Sequence, residues 1–338
     1  MDSLTQATLG AAVGEAVLGK KLGNKAVYLG AAAGTLSDLD VIPGMLFDTP
    51  GRLLFHRGFS HSFVFVILAT MLFAWLFSKF FTRNEISRKE WLLYFGLIFT
   101  ASVLIDSFTT YGTQLFWPLE YRFEFNTMFV VDPMFTLPML ITVIWLLFKP
   151  KGSAIRKRLS HIGLIVAGSY LMLSIVNKQL VNSIFRDELN RQGISYSRMT
   201  TNPGPMNQIL WTALAETEDG YWTGYYSHFD EDKNVAFQFF PKKHELLDSL
   251  RTDPGVKEIL RFTKGFYTVE PIDGGFFVND LRFGKIKNWK TGKRNFVFRY
   301  IIRTSTTPVR IDQAEQSFEG SSEILAQLWQ RIFGKKDF

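Results

Sequence analysis

The segment His56-Arg57-Gly58-Phe59-Ser60-His61 holds two of only five histidines in the chain and stands immediately before a long apolar run. Neutral imidazole is the commonest metal-binding side chain, and two this close can serve one ion, or two neighbouring ions, once carboxylates join them. Carboxylates stand at the edges of apolar segments, at Asp38, Asp40, Asp106 and Asp132. Together these residue types predict a divalent metal site at a membrane surface.

The spacing of these residues favours turns over continuous helices. In a helix Asp38 and Asp40 would diverge, whereas at a helix end or in an extended turn both reach one centre; the alternative is plain solvation of a helix end. For His56 and His61 we expect Gly58 to turn the chain. We also expect Ser60 to cap a helix that starts near His61.

The remaining candidates have competing interpretations. Arg57 either neutralises an anionic substrate or pairs with an acid. Asp106 ends an apolar helix, and an ionisable residue at membrane depth is by default a functional candidate. Asp132 precedes Pro133, so a helix N-cap explains it without any metal. Glu15 lies within a helix, where it either makes a buried polar contact or faces a cavity.

Two histidines and several aspartates suit zinc, manganese or iron better than calcium, with zinc or manganese the first choice. A bound ion makes hydroxide available near neutral pH, which points to hydrolysis of an ester or phosphoester. Asp40 or Asp106 would act as the base and Arg57 would stabilise developing charge. The absence of cysteine excludes thiolate zinc sites and disulfides.

The composition divides the chain into two parts. Of 338 residues, 47% are hydrophobic and 33 are Phe, which is high for a soluble protein. Residues 1–181 hold nearly all the long apolar runs, and 182–338 have the mixed pattern of a globular domain. The net charge of +7 fits basic cytoplasmic loops, so no nucleic-acid partner is expected. No basic segment precedes the first apolar stretch, which excludes a cleavable signal peptide.

The first part predicts an α-helical membrane domain of about six helices, at residues 4–19, 26–36, 63–81, 91–105, 134–148 and 162–176. The first two are rich in small residues that allow close helix packing, and a buried hairpin of a soluble fold is their alternative. The loops at 20–25, 79–90 and 149–158 are basic, and with six membrane-spanning helices all three lie on the same side of the bilayer. The positive-inside rule makes that side cytoplasmic. The candidate ligands and residues 182–338 then face the periplasm.

The second part predicts a β-rich α+β soluble domain. Alternating and aromatic residues, separated by turn signals, predict strands at 209–216, 221–229, 235–240, 266–271, 276–283 and 295–303. Only 254–262 and 321–333 have helical patterns.

Several separated motifs, in this order, resemble the bacterial membrane-bound metal-dependent hydrolase family of the YdjM or YbcI type, a domain of unknown function. They are residues 1–6 and 9–19, Asp38-Leu39-Asp40, 56–62, 106–114 and Val131-Asp132-Pro133. The resemblance covers about residues 1–180 and implies an integral inner-membrane protein with a hydrolase site. It implies as metal-site residues Asp38, Asp40, His56, His61 and Asp106, with Asp132 less secure. Gln6 stands where many relatives have His, and Ser37 where Pro is usual.

The sequence as a whole favours a metal-dependent hydrolase whose partners are the lipid bilayer and a small-molecule or lipid-linked substrate. A non-catalytic membrane scaffold with a structural metal site and a partner-binding outer domain is the alternative. A transporter is a third interpretation, but apolar segments 63–81, 91–105 and 134–148 carry too few charged residues to line a path. An open coordination position would distinguish an enzyme from a scaffold.

Overall fold

The computed structural model describes residues 1–81, 86–287, 294–306, 308–315 and 321–336. These form two compact units. The first comprises Met1–Pro43, Phe55–Val176 and Pro205–Asn207, and the second comprises Gly44–Leu54, Asn177–Gly204 and Gln208–Phe338. The predicted helical N-terminal half and β-sheet C-terminal half are confirmed, while the proposed domain boundary at residue 181 stays a prediction. Arg83, part of the predicted basic loop, lies outside the described residues.

Two glycine-lined helices form a tight hairpin at the start of the first unit. Helix α1 (Ser3–Leu22) is capped by the Asp2 side chain, and α2 (Asn24–Gly34) runs back along it. A Cβ atom at Gly10 would lie 2.1 Å from the carbonyl oxygen of Gly30, so only glycine permits this crossing. The small-residue spacing in the sequence therefore reports a real close approach.

In the described residues six further α-helices precede the first strand, and four of them complete the first unit's bundle. They are α3 (Val41–Gly44), α4 (Thr49–Phe55), α5 (Phe63–Phe80), α6 (Arg88–Asp106), α7 (Pro133–Leu147) and α8 (Ala154–Arg191). Side-chain caps explain where three of them begin: Ser62 caps α5, Ser87 forms a capping box with Glu90 on α6, and Asp132 caps α7. Aromatic rings of α5 and α6 interlock in the core.

The prediction of about six membrane-spanning helices is wrong for the described residues, of which only α5 and α8 are long and apolar enough to cross a bilayer. Helix α7 is apolar, but its 15 residues give about 22 Å of helix against a hydrocarbon core of about 30 Å. Helix α6 carries three charged residues in its first turn. Helices α1 and α2 are short or interrupted by charge, and α1 is largely buried.

The second unit contains two four-stranded antiparallel meanders. One is β1 (Arg198–Pro203), β2 (Leu210–Glu216), β3 (Gly220–Ser227) and β4 (Phe237–Pro241); the other is β5 (Tyr267–Ile272), β6 (Gly275–Lys287), β7 (Arg294–Arg303) and β8 (Arg310–Gln313). Helices α9 (Pro254–Phe262) and α10 (Ser321–Ile332) were both expected. Strands β1 and β8 were not predicted from the sequence, because β8 is short, β1 is polar, and neither shows clear hydrophobic alternation.

Candidate metal centre

One imidazole lies between two carboxylates in the first unit. Nε2 of His61 is 3.1 Å from Oδ1 of Asp38 and 3.2 Å from Oδ2 of Asp106. One ligand atom from each residue can be chosen so that all three lie within 4.8 Å of one another. The side chains of His61 and Asp106 are fully buried, and that of Asp38 is 14% exposed. This triad is a possible metal-binding site.

Three helix ends bring the triad together. Asp38 lies in the 3₁₀ turn Ser37–Asp40 that follows α2, and Asp106 is the last residue of α6. His61 lies in the 3₁₀ turn Phe59–His61 just before α5. The turn that follows α2 presents the carboxylate of Asp38 to the triad, whereas Asp40, two residues further on, is not part of it.

The second aspartate of the turn supports both histidines. Asp40 is bonded through Oδ1 to Nδ1 of His56 at 2.7 Å, and its Oδ2 accepts from the Ser60 hydroxyl at 2.6 Å. Oδ2 also lies 3.4 Å from Nδ1 of His61. Asp40 therefore orients the ring that faces the triad, a carboxylate–histidine arrangement common around metal ligands. We had expected Ser60 to cap α5, and this prediction is wrong: the side chain of Ser62 caps the helix.

Arg57 adopts a backbone conformation that is rare for a residue with a side chain. Its φ is 56°, whereas Gly58, the expected turning point, has φ −88°. The backbone N–H of Arg57 donates to Asp40 at 2.9 Å, and its guanidinium lies 3.0 Å from Asp106 and donates to Thr109. Such strain is retained where the surroundings hold it, and functional sites are enriched in it.

Gln6 of α1 completes the surroundings of Asp106. Its amide nitrogen donates to Oδ2 of Asp106 at 2.8 Å and to the carbonyl of Ser102 at 3.1 Å. The amino group of Met1 also contacts Asp106. Sequence reasoning treated Gln6 only as a departure from a histidine; in the structure it reaches the site through its amide.

The donor atoms of the triad are spaced as the ligands of a divalent ion are. Two ligands about 2.0 Å from a tetrahedral ion lie about 3.3 Å apart, close to the two separations at His61 Nε2. Within the described part of the chain, Oδ2 of Asp38 is a buried oxygen without a hydrogen-bond donor. A buried oxygen in that state is costly, and a cation would satisfy it. The residues therefore fit a metal ion.

The surroundings keep the carboxylates of Asp38 and Asp40 ionised and the imidazole of His56 neutral. Burial alone would raise the pKa of Asp40, but hydrogen bonds with His56 and His61 outweigh it and hold that pKa below its ordinary value. Burial would likewise raise the pKa of Asp38, but the hydrogen bond with His61 lowers it below its ordinary value. Burial lowers the pKa of His56 despite the bond with Asp40, so this ring is neutral near pH 7.

Two acids singled out in the sequence lie elsewhere. Asp132 caps α7 through the N–H groups of Met134 and Phe135, and both its carboxylate oxygens accept from the Tyr170 hydroxyl. It is not part of the triad. Glu15 makes a buried polar contact: Arg156 donates to both its oxygens, at 2.8 and 2.6 Å. The position of Asp132 is thus explained by its role as the N-cap of α7, without any metal.

Sequence reasoning missed two residues that lie beside the site. Arg122 is buried and donates through Nη2 to the carbonyl of His56 at 3.0 Å. Tyr111 packs edge-on against the His56 ring, with 5.0 Å between ring centres. Arg122 sits in an aromatic loop without any spacing signature, so no signal in the sequence could have identified it.

The family model described as YdjM inner membrane protein matches residues 1–181, more than half of the chain. The chain belongs to the YdjM inner membrane protein family. The resemblance noted from the sequence is thereby confirmed, and the YdjM region includes every residue of the triad. No curated protein and no solved structure matches the chain.

Proposed function

We propose that this YdjM-family protein is a metal-dependent hydrolase that cleaves an ester or phosphoester at the outer face of the inner membrane. The observation that carries the proposal is the position of His61 Nε2, at 3.1 and 3.2 Å from the carboxylates of Asp38 and Asp106, beside a second histidine bonded to Asp40. A metal ligand set and a candidate acid–base group thus lie next to each other, as hydrolysis requires.

Asp38, His61 and Asp106 would hold the ion, with zinc or manganese favoured because the donors are one imidazole nitrogen and carboxylate oxygens. The ion would supply a lowered water pKa and polarisation of the ester. Asp40 lies behind His61 and His56, where it orients rings rather than offering a ligand atom of its own. The assignment of Asp40, His56 and Asp132 as ligands is accordingly not carried into this proposal.

The side chains of the chain itself would handle the proton and the developing charge. His56 is held at Nδ1 by Asp40, which leaves Nε2 to accept a proton from water. The water oxygen bonds to the ester carbon or phosphorus, the bond to the leaving oxygen breaks, and His56 returns the proton to that oxygen. Arg57, 3.0 Å from Asp106, would stabilise the negative charge that develops.

The helical unit presents an apolar surface that suits lipid. On α5, Ile67, Leu68 and Met71 are each more than half exposed, which is unusual for a water-facing helix. The same helix has the site at its start and Lys79, stacked on Trp75, near its end. We propose that the Lys79 end is cytoplasmic, that the site end is periplasmic, and that the protein is multi-pass.

From this orientation we propose a periplasmic C-terminal half, since α8 begins at a basic segment and its Tyr170 reaches Asp132 at the start of α7. The substrate would be a small molecule or lipid-linked. Exposed aromatic rings of Phe59 and Trp117, in contact beside the site, suit the lipid–water interface. The bilayer and this substrate are the proposed partners, and no nucleic-acid partner is proposed.

A membrane scaffold with a structural metal site is the second candidate, favoured by the complete burial of His61 and Asp106. Structural sites are closed, whereas catalytic sites keep a position for water. The two candidates differ in turnover but not in metal content, so both quantities must be measured on the same samples.

The test uses detergent-purified protein supplemented with zinc or manganese. Metal content is measured by mass spectrometry, and hydrolysis is assayed with p-nitrophenyl acetate and bis-p-nitrophenyl phosphate. We expect His61→Ala to lose both metal and turnover, and the control His161→Ala, at an exposed histidine, to keep both. Asp40→Asn should keep metal and lose about tenfold or more in turnover. Metal without turnover in the wild type would favour the scaffold, and wild type without metal would refute both.

A further inference from the structure

Two buried guanidinium groups share one aromatic ring beside the proposed metal site. The Arg57 guanidinium carbon lies 5.1 Å from the centre of the Tyr111 ring, and that of Arg122 lies 5.5 Å from the same centre. Only 3% of Arg57 and 6% of Arg122 is exposed. His56 contacts the same ring, so both cations lie near the group proposed to move the proton.

The two guanidinium groups contact the same ring, and like charges within one buried region oppose each other. An enclosed cation pair is favourable when an anion binds between or beside its members.

Arg57 retains donor capacity that the protein does not use. Its Nη1 donates to Thr109 and its Nη2 faces Asp106, but within the described residues its buried Nε has no hydrogen-bond partner. A buried unsatisfied donor is costly, and a guanidinium binds phosphate oxygens through paired N–H groups. The donor is therefore available to an anionic ligand.

We propose that Arg57 and Arg122 bind a phosphate group, which makes the substrate of the proposed hydrolase a phosphoester rather than a carboxylic ester. A carboxylic ester group carries no negative charge in its ground state for these two guanidinium groups to bind, whereas a phosphate monoester or diester carries at least one. In the reaction the water oxygen bonds to phosphorus, the phosphorus–oxygen bond to the alcohol breaks, and the alcohol leaves with a proton. This inference rests on the proposed function for its chemistry but not for its binding site.

The experiment measures binding of inorganic phosphate by calorimetry to metal-loaded and metal-stripped protein in detergent. We expect Arg122→Gln to raise the dissociation constant for phosphate about tenfold or more in both forms, with metal content unchanged. The control is Arg52→Gln, an exposed arginine of α4 that hydrogen-bonds Thr49 and should leave phosphate binding unchanged. Equal phosphate binding in the wild type and Arg122→Gln, or no binding to either, would overturn the inference.

Two substrate arms identify the source of the phosphate. Release of inorganic phosphate is followed from p-nitrophenyl phosphate in solution and from phosphatidylcholine vesicles that carry phosphatidate. Turnover in either arm, reduced in Arg122→Gln, supports the phosphate site and shows which source it accepts. Turnover of carboxylic esters alone would overturn this inference while leaving the hydrolase intact. Phosphate binding without metal or turnover would refute the hydrolase but leave the phosphate site standing.

Discussion

The amide nitrogen of Gln6 donates a 2.8 Å hydrogen bond to the carboxylate of Asp106, a residue exactly one hundred positions further along the chain. Both side chains are buried, and the same amide nitrogen also donates to the backbone of α6. Gln6 therefore fixes the orientation of one carboxylate of the proposed triad. Partners of this kind set metal affinity even when they do not themselves bind the ion.

We expect Gln6→Leu to weaken metal binding about 10-fold to 100-fold, because the Asp106 carboxylate loses a donor that holds its orientation. The measurement is competition of the purified protein with a zinc chelator of known affinity. Gln6→Glu should be at least as harmful, since a carboxylate cannot donate to Asp106 and adds charge beside it. Unchanged affinity in both variants would show that Gln6 plays no part in the site.

The crossing of α1 and α2 predicts a large cost for one methyl group. In Gly10→Ala the new Cβ would lie 2.1 Å from the Gly30 carbonyl oxygen, so the helices must separate, at a cost of about 2 to 3 kcal/mol. Thermal unfolding in detergent measures it. Gly168→Ala in α8 is the matched control, because no atom lies within 4 Å of its added Cβ. Equal melting temperatures for Gly10→Ala and the wild type would contradict the observed crossing of α1 and α2.

The buried ion pair of the helical unit predicts a non-additive pair of substitutions. Arg156 donates to both oxygens of Glu15 and, through Nη1, to the Asn24 side chain at 2.6 Å. Arg156→Met should cost about 3 kcal/mol or more, because it leaves Glu15 buried and unpaired. The double variant Glu15→Leu with Arg156→Met should recover most of that loss in unfolding measurements. A double variant as unstable as the single one would mean that Arg156 acts through other contacts.

A carboxylate in the first sheet predicts a pH dependence of its stability. Burial opposes ionisation of Glu216, but hydrogen bonds from Lys242, at 2.8 Å, and from Arg198 outweigh it and lower its pKa. A lowered folded-state pKa stabilises the sheet at neutral pH, and the contribution is lost as the pH falls from about 4.5 through the folded-state value.

Glu216→Gln should therefore be less stable than the wild type at pH 7, and the difference should shrink as the pH is lowered. Hydrogen exchange of peptides from β1 to β4, followed by mass spectrometry between neutral and acidic pH, measures this locally. A difference that stays constant with pH would show that Glu216 contributes through packing and not through its charge.

The sequence by itself determined much of the secondary structure, because the signals are local. Pro133 after Asp132 marks the start of α7, and aromatic-rich runs bounded by turn residues mark strands such as β3. It also identified the segments that carry the triad, since histidines and aspartates at the edges of apolar runs are rare enough to recognise. The number of spanning helices was beyond it, because an apolar pattern does not fix where a helix begins and ends, and α2 and α7 are too short to cross a bilayer.

Only the tertiary structure decided which acids meet. Asp38 and Asp106 converge on His61 because glycines let α1 and α2 approach closely and the ends of α2 and α6 lie together. Asp132, at a similar helix end, instead accepts from Tyr170. Convergence of this kind depends on contacts between residues far apart in the chain, and local patterns of residue type carry no record of which helix ends will adjoin.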